Sequence, residues 1–335
     1  MSQQIAFAGF RHPHILSLWD RASAHPDSKI IATCEPDHGT RDQVYAAGKV
    51  TVTHENFNQM LWDVDFTILA LGDVYAQRGE LAIAALDGGK HVILEKPICT
   101  SLQELDRIEE LAREKQRSIG CQLDLVEDAA MCGLQEVIKA GTLGTVCTIT
   151  ATAQHPLRYG TRAAWYFEPG CHGGTINDIG IHVFDLALWL TGSGWKKTLL
   201  AREWNAKAIA APHFKDCAQF YGILQNGASS FADVSYLAPD RAGYELPQYW
   251  RVTVHGTCGM AEASCGRQNV CVATDNDAAI REVVASAHSP RGYFQDFLDE
   301  IAGTPSDDGI TTSRVLCSAR ITLEAQALAS NSSAA

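Results

Sequence analysis

The chain has 335 residues, 46% hydrophobic and 20% charged, a globular composition long enough for two domains. Its 27 basic and 39 acidic side chains leave a formal charge of −12, which disfavours nucleic acid and anionic membrane, partners that want basic patches. The N-terminus shows no basic n-region or apolar h-region, and no stretch reaches 18 uninterrupted apolar residues. The eleven Cys form no C-x-x-C pair. The expectation is a cytoplasmic protein with free thiols and no membrane span. Cys132, Cys147, Cys217 and Cys317 have apolar or small neighbours and read as packing residues.

Over the first 120 or so residues, short apolar runs predict strands at Ile5–Ala8, Ile30–Thr33, Phe66–Leu71, Val92–Leu94 and Ile119–Leu123. Helical patterns at about 13–24, 39–48, 55–62, 77–88 and 101–116 fall between them. In the last, Ser101 and Glu104 suit a capping box, and Leu102, Leu105, Ile108, Leu111 and Ala112 make one apolar stripe. Strand alternating with helix predicts a doubly wound parallel sheet of the Rossmann type.

The first turn, "AGFRHPHI", sits where such a sheet places phosphate-binding glycines. Gly9 fits the first position, but Arg11 and His14 stand where the second and third glycines belong. Arg11 hinders close backbone approach while offering a guanidinium to phosphate. Pro13 suits the first position of a helix, leaving the amides of His14 and Ile15 to meet an anion. Glu35, ending the second strand, suits a ribose diol and disfavours a 2′-phosphate, which favours NAD over NADP; Arg41 softens that preference.

The run "HVILEKP" ends a buried strand at Glu95, Lys96 and Pro97. A Lys at the carboxyl end of a parallel strand lies on the ligand-binding edge of an open sheet, where a desolvated amine can exchange protons. An ordinary strand end with a solvated Lys is the plain alternative.

After residue 124 the texture changes. A helix near 127–140 ends at Gly141, and strand-like segments follow at about 145–153, 198–205, 217–225, 229–237, 248–256 and 269–274, with Asn226-Gly227 as one turn. Helices close the chain near 290–302 and 311–329, ahead of a frayed "SNSSAA" tail. This predicts an α+β domain with a large, open, mostly antiparallel sheet. The expected domains are 1–123 and 124–335, the closing helix packing back on the first. Within "GGTINDIGIHVFDLALWLTG", Asp178, His182 and Asp185 are spaced to share a helical stripe, so that a carboxylate can flank an imidazole base. A helix cap at Asp178 with a core His182 explains the same residues. A metal held with Cys171 or His172 is the lesser option, and none is expected.

Taken together, "ILEKP", "LGTV", the D-x-G-x-H-x-x-D element and "RITLEAQAL" resemble the glucose-fructose oxidoreductase/inositol dehydrogenase family (Gfo/Idh/MocA) over nearly the whole chain. The resemblance implies an active site in the cleft between two domains, a cis peptide before Pro97, and NAD(P)-dependent oxidation of a sugar, polyol or cyclitol hydroxyl. It implies catalysis by Lys96, Asp178 and His182. Cofactor contacts fall to Gly9, Phe10, Arg11, His12, Glu35, Leu71, Gly72, Glu95, Lys96 and Pro97. Substrate contacts fall to Trp165, Asp178 and His182. Homodimers or homotetramers are implied through the open sheet. The loop "LGDVYAQRGE" departs from relatives that carry a His near Ala76 or Gln77, and Arg78 there is a candidate substrate or phosphate contact. Glycoside cleavage with retained NAD, or a non-catalytic sugar or nucleotide sensor, are the alternative functions.

Overall fold

The computed structural model describes residues 2–246, 249–285 and 292–332. They form two compact units. The first is the chain up to Gln122 with Gly170–Gly173 and Tyr293–Ala319, and the second is the remainder. No described helix is long and apolar enough to cross a membrane.

The first unit runs β1 (Gln3–Ala8), α1 (Ile15–Ala24), β2 (Ser28–Cys34), α2 (His38–Ala46), α3 (Phe57–Asp63), β3 (Ile68–Leu71), α4 (Tyr75–Asp87), β4 (His91–Leu94), α5 (Leu102–Lys115) and β5 (Ile119–Cys121). The strands pair in the order β2-β1-β3-β4-β5, all parallel. Ile68–Leu71 and Val92–Leu94 are wholly buried, as strands covered on both faces must be. The order reverses between β1 and β3, and ligands bind at the carboxyl ends of the strands at such a switch point. Ser101 and Glu104 form the expected capping box on α5.

The helix after the first turn starts later than its sequence suggests. His14 is its N-cap and Pro13 lies before it, with the Leu16 N–H bonded to Pro13 O at 3.1 Å. The Ile15 amide already donates to His12 O at 3.4 Å, so it is not held open for an anion as expected.

The second unit contains α6 (Ala129–Lys139), β6 (Val146–Pro156), a 3-10 turn at Ala164–Phe167, a π-helical turn at Ile176–Gly180 and α7 (Ile181–Thr191). It continues with β7 (Trp195–Trp204), β8 (Cys217–Leu224), β9 (Ser229–Ala238), β10 (Arg251–Gly256), β11 (Gly259–Ser264), β12 (Asn269–Thr274) and β13 (Arg281–Val284). Its sheet has the order β13-β12-β11-β10-β6-β9-β8-β7. Only the β6–β9 pair is parallel. β11 and β13 were not foreseen, because "GMAEAS" is built of small residues and "REVV" is short and charged. Two helices close the chain, α8 (Gly292–Ile301) and α9 (Thr312–Ser332). Residues 330–332 of the expected tail are helical; 333–335, like residue 248 of an expected strand and 290–291 of an expected helix, lie outside the described residues.

None of the eleven cysteines is in a disulfide. Cys217 is buried and Cys132 half-buried, but Cys147 and Cys317 are exposed, which corrects their reading as packing residues. Cys147 takes an outward position in the alternation of β6.

Candidate functional site

At the switch point of the first sheet a cavity of about 220 Å³ is lined by Ala8, Gly9, Cys34, Pro36, Phe57, Asp73, Gln77, Glu80 and Leu81. Gly9 has φ +75°, and a Cβ there would lie 2.4 Å from Asp73 Cβ; one on Gly72 would lie 2.3 Å from Gly9 O. The turns after β1 and β3 therefore approach closely only because both residues lack side chains. The cavity beside them opens at the carboxyl ends of the strands, the place where such a sheet receives a dinucleotide, and the bare glycine turns fit the close approach of that cofactor.

The predicted cofactor residues are arranged unevenly around it. Phe10 turns its ring into the core, with centroids 6.5 Å from Phe7 and 6.3 Å from Trp19, leaving its backbone to the loop. Glu35 is 0% exposed. Its Oε2 accepts from the Phe10 amide at 2.6 Å and its Oε1 from the Asp37 amide at 2.8 Å. The carboxylate thus splints the glycine turn; burial raises its pKa while these amides oppose the rise. Arg11 reaches across to the next loop, with Nε 2.7 Å from Asp73 Oδ1 and Nη2 donating to Gln77 Oε1 at 2.6 Å. Leu71 is a buried strand residue, with only its backbone near the loop. Cys34, in the cavity wall, has its thiol pushed up to about 12 by burial and then by Glu35.

The Lys96 turn gathers several buried polar side chains, Glu95, Lys96, His12 and Arg78. The Lys96–Pro97 peptide is cis, and Lys96 is 7% exposed. Glu95 Oε2 meets His12 Nδ1 at 2.5 Å and accepts from Arg78 Nη2 at 2.6 Å. Tyr75 OH stands 3.2 Å from His12 Nε2, and the Tyr75 and His172 rings lie 5.5 Å apart. Burial raises the Glu95 pKa, opposed first by Arg78.

Arg78 is not the substrate or phosphate contact that its sequence position suggested. It is 0% exposed. Nε donates to Gly72 O and Asp73 O, Nη1 to Lys96 O and Pro97 O, and Nη2 to Glu95. Its guanidinium lies 4.5 Å from the centre of the Tyr75 ring. Every nitrogen is spent on the protein itself.

In the second unit Asp178 lies in the π-helical turn and His182 in α7, so their four-residue step crosses a change of pitch rather than one regular stripe. Tyr236 of β9 donates its hydroxyl to Asp178 Oδ2. Burial, and then Asp178, hold that phenol's pKa well above 10. The turn itself is pinned from α9. Gln326 Oε1 accepts from the amides of Ile176 (3.1 Å) and Asn177 (3.3 Å), and its Nε2 donates to Glu203 Oε2 at 2.7 Å. Gly174, at φ +99°, makes room, since a Cβ there would lie 2.1 Å from Gln326 Oε1. His182 packs against the Trp250 ring, centroids 5.2 Å apart. Trp165 is buried and stacks on Tyr166 at 4.1 Å, under which lies Arg162. Sequence reasoning missed Tyr236 and Gln326. A Tyr on an alternating strand and a Gln on a long helix carry no local signal of the distant turn they hold. Among the described residues no three His, Cys, Asp or Glu side chains are gathered as a metal site.

Residues 7–122 match the oxidoreductase family with an NAD-binding Rossmann fold, and residues 133–262 match the GFO/IDH/MocA C-terminal domain. The scyllo-inositol 2-dehydrogenase (NADP(+)) IolW of Bacillus subtilis is 26% identical over 152 residues, 44% of this chain and 42% of that protein. The levoglucosan dehydrogenase of Pseudarthrobacter phenanthrenivorans is 24% identical over 174 residues, 51% of this chain and 44% of that one. The chain thus spans less than half the length of these curated relatives. A solved structure from Erwinia carotovora atroseptica superposes with TM-score 0.87 at 22% identity, over 98% of this chain and 99% of that one, a likeness of fold.

Proposed function

The chain belongs to the Gfo/Idh/MocA oxidoreductase family, and on that premise we propose that it is an NAD-dependent dehydrogenase acting on a hydroxyl carbon of a sugar, polyol or cyclitol. In this reading residues 1–123 bind the dinucleotide, residues 124–335 bind the substrate, and the chain works in the cytoplasm as a dimer or tetramer. The exposed apolar side chains Leu200, Tyr221, Phe231 and Leu237 on β7, β8 and β9 suit such assembly.

One observation carries the proposal. The buried Lys96 turn is tied through Arg78 to loop 72–73, and Asp73 of that loop lines the cavity at the switch point. Gly9, Gly72 and the backbone of Phe10 and Leu71 would form the cradle for NAD, with Arg11 and His12 on its phosphate side and Pro97 closing the turn. NAD, when bound, accepts the hydride. The chain's own part is proton and charge handling. The Lys96 ammonium steadies the alkoxide that develops as the hydroxyl proton leaves, His182 takes that proton, and Asp178 orients His182 and the substrate. Trp165 offers an apolar wall to a sugar face. With Asp73 paired to Arg11, Glu80 leaves an acidic group in the cavity wall, which disfavours a 2′-phosphate and supports NAD over NADP.

The test is an NADH fluorescence titration up to about 1 mM, followed by turnover on a panel of inositols, anhydrosugars and aldoses. Binding, net NADH production and loss of turnover in Lys96→Ala with binding retained are expected. No dinucleotide binding sinks the proposal; turnover without net NADH moves the chain to NAD-assisted glycoside cleavage.

A further inference from the structure

We infer that Arg78 is a positioning residue that fixes the Lys96 amine relative to the cofactor loop; this deepens the function proposed above and rests on it for its catalytic meaning. β3 and β4 are neighbouring parallel strands in the register Leu71↔Leu94. The chain leaves β3 as Gly72–Asp73 and leaves β4 as Glu95–Lys96–Pro97, so the two exits lie side by side on the ligand edge. Backbone carbonyls at such exits have no strand partner and repel one another. Arg78, one turn into α4, turns its guanidinium back between them and takes Gly72 O (3.0 Å), Asp73 O (3.2 Å), Lys96 O (2.7 Å) and Pro97 O (3.1 Å).

Its remaining nitrogen takes the Glu95 carboxylate at 2.6 Å, and Glu95 in turn meets His12 of the glycine turn. Three loops are therefore referenced to one planar cation: the glycine turn after β1, the cavity-lining loop after β3 and the Lys96 turn. The fork geometry matters. A guanidinium presents five donors in one plane, whereas a Lys ammonium is a point charge on a flexible stem. Arg78→Lys keeps the charge and loses the shared plane.

The experiment pairs Arg78→Lys with Arg78→Gly. The first readout needs neither cofactor nor substrate. It is the rate of acetylation at Lys96 relative to exposed Lys196, resolved by peptide mass spectrometry. A loosened turn raises that ratio about fivefold or more in Arg78→Lys. The second readout is kinetic: kcat falls about a hundredfold while substrate KM and NADH affinity stay within about threefold. Methylguanidinium added to Arg78→Gly, during refolding where the variant does not fold alone, restores the labelling ratio and kcat, and methylammonium does not.

An unchanged labelling ratio with kcat within about twofold of wild type in Arg78→Lys overturns the inference. So does rescue of Arg78→Gly by both cations or by neither. A wild-type protein that binds no NADH sinks the proposed function and leaves the labelling result to judge Arg78 by itself.

Discussion

The Lys96 turn is held by one cation that gathers four carbonyls and a carboxylate, whereas the Asp178 turn is held by the neutral amide of Gln326 and the phenol of Tyr236. Both turns are buried, and both depend on a side chain from another element. They differ in what happens when the holder is removed. Taking away the guanidinium removes a charge from a buried carboxylate and a donor from four carbonyls at once, while taking away the amide or the phenol removes a neutral partner from fewer groups, two backbone amides and Glu203 in one case and Asp178 in the other. The comparison teaches that a charged clamp gives a stiff turn with one point of failure, and a neutral one gives a turn that loses strength in parts.

The largest expected effect breaks the first side of this contrast. Arg78→Ala loses about 3–5 kcal/mol of unfolding free energy, read from the urea midpoint at constant slope. Gln326→Ala, on the other side, loses about 2–3 kcal/mol, because two backbone amides and Glu203 lose a partner. Equal losses in the two variants would erase the distinction.

The response to pH sharpens it. β4, which leads into the Lys96 turn, begins at His91. Burial, with Arg117 beside it, pushes that imidazole from 6.5 down to about 4, and its Nδ1 accepts the Ser118 amide at 2.9 Å. Between those pH values the unfolded chain binds a proton that the folded imidazole refuses, so stability falls as pH drops through the window. The loss is about 1–2 kcal/mol after allowance for the ring's partial exposure. Urea midpoints at pH 7, 5 and 4 should flatten in His91→Asn, whose amide oxygen can replace Nδ1. The Asp178 side answers at the other end of the scale. Because the folded Tyr236 phenol holds its proton well beyond 10, its contribution is whole below pH 10 and is lost as pH rises further. Tyr236→Phe should lose about 1 kcal/mol at pH 8 and show a shallower decline at alkaline pH.

Much of the frame was legible. Apolar runs of three to six residues located the parallel strands, and the Ser101–Glu104 pair located the start of α5, because both signals are local. The clamps were not legible, since their partners are distant or lie on the backbone. Arg78 reads as a candidate substrate or phosphate contact, and nothing in its neighbours announces the carbonyls at 72, 73, 96 and 97 that consume it. Glu35 was legible as the acid ending the second strand; its engagement with the Phe10 and Asp37 amides depends on how the glycine turn folds back. The π-helical turn under Asp178 left no trace in the four- and three-residue spacing. It is specified by Gln326, about 150 positions later.

The wall of the cavity at the switch point also bears on how the molecule ages. With its thiol pushed up to about 12, Cys34 carries a thiolate fraction of only about one in 10⁵ at neutral pH. Peroxides attack thiolates, so this sulfur is a poor target, while Cys147 and Cys258 of the second unit and Cys317 of the first face solvent. Oxidative wear therefore begins on these outer thiols, and the cavity at the switch point keeps its chemical integrity long after the surface has been marked.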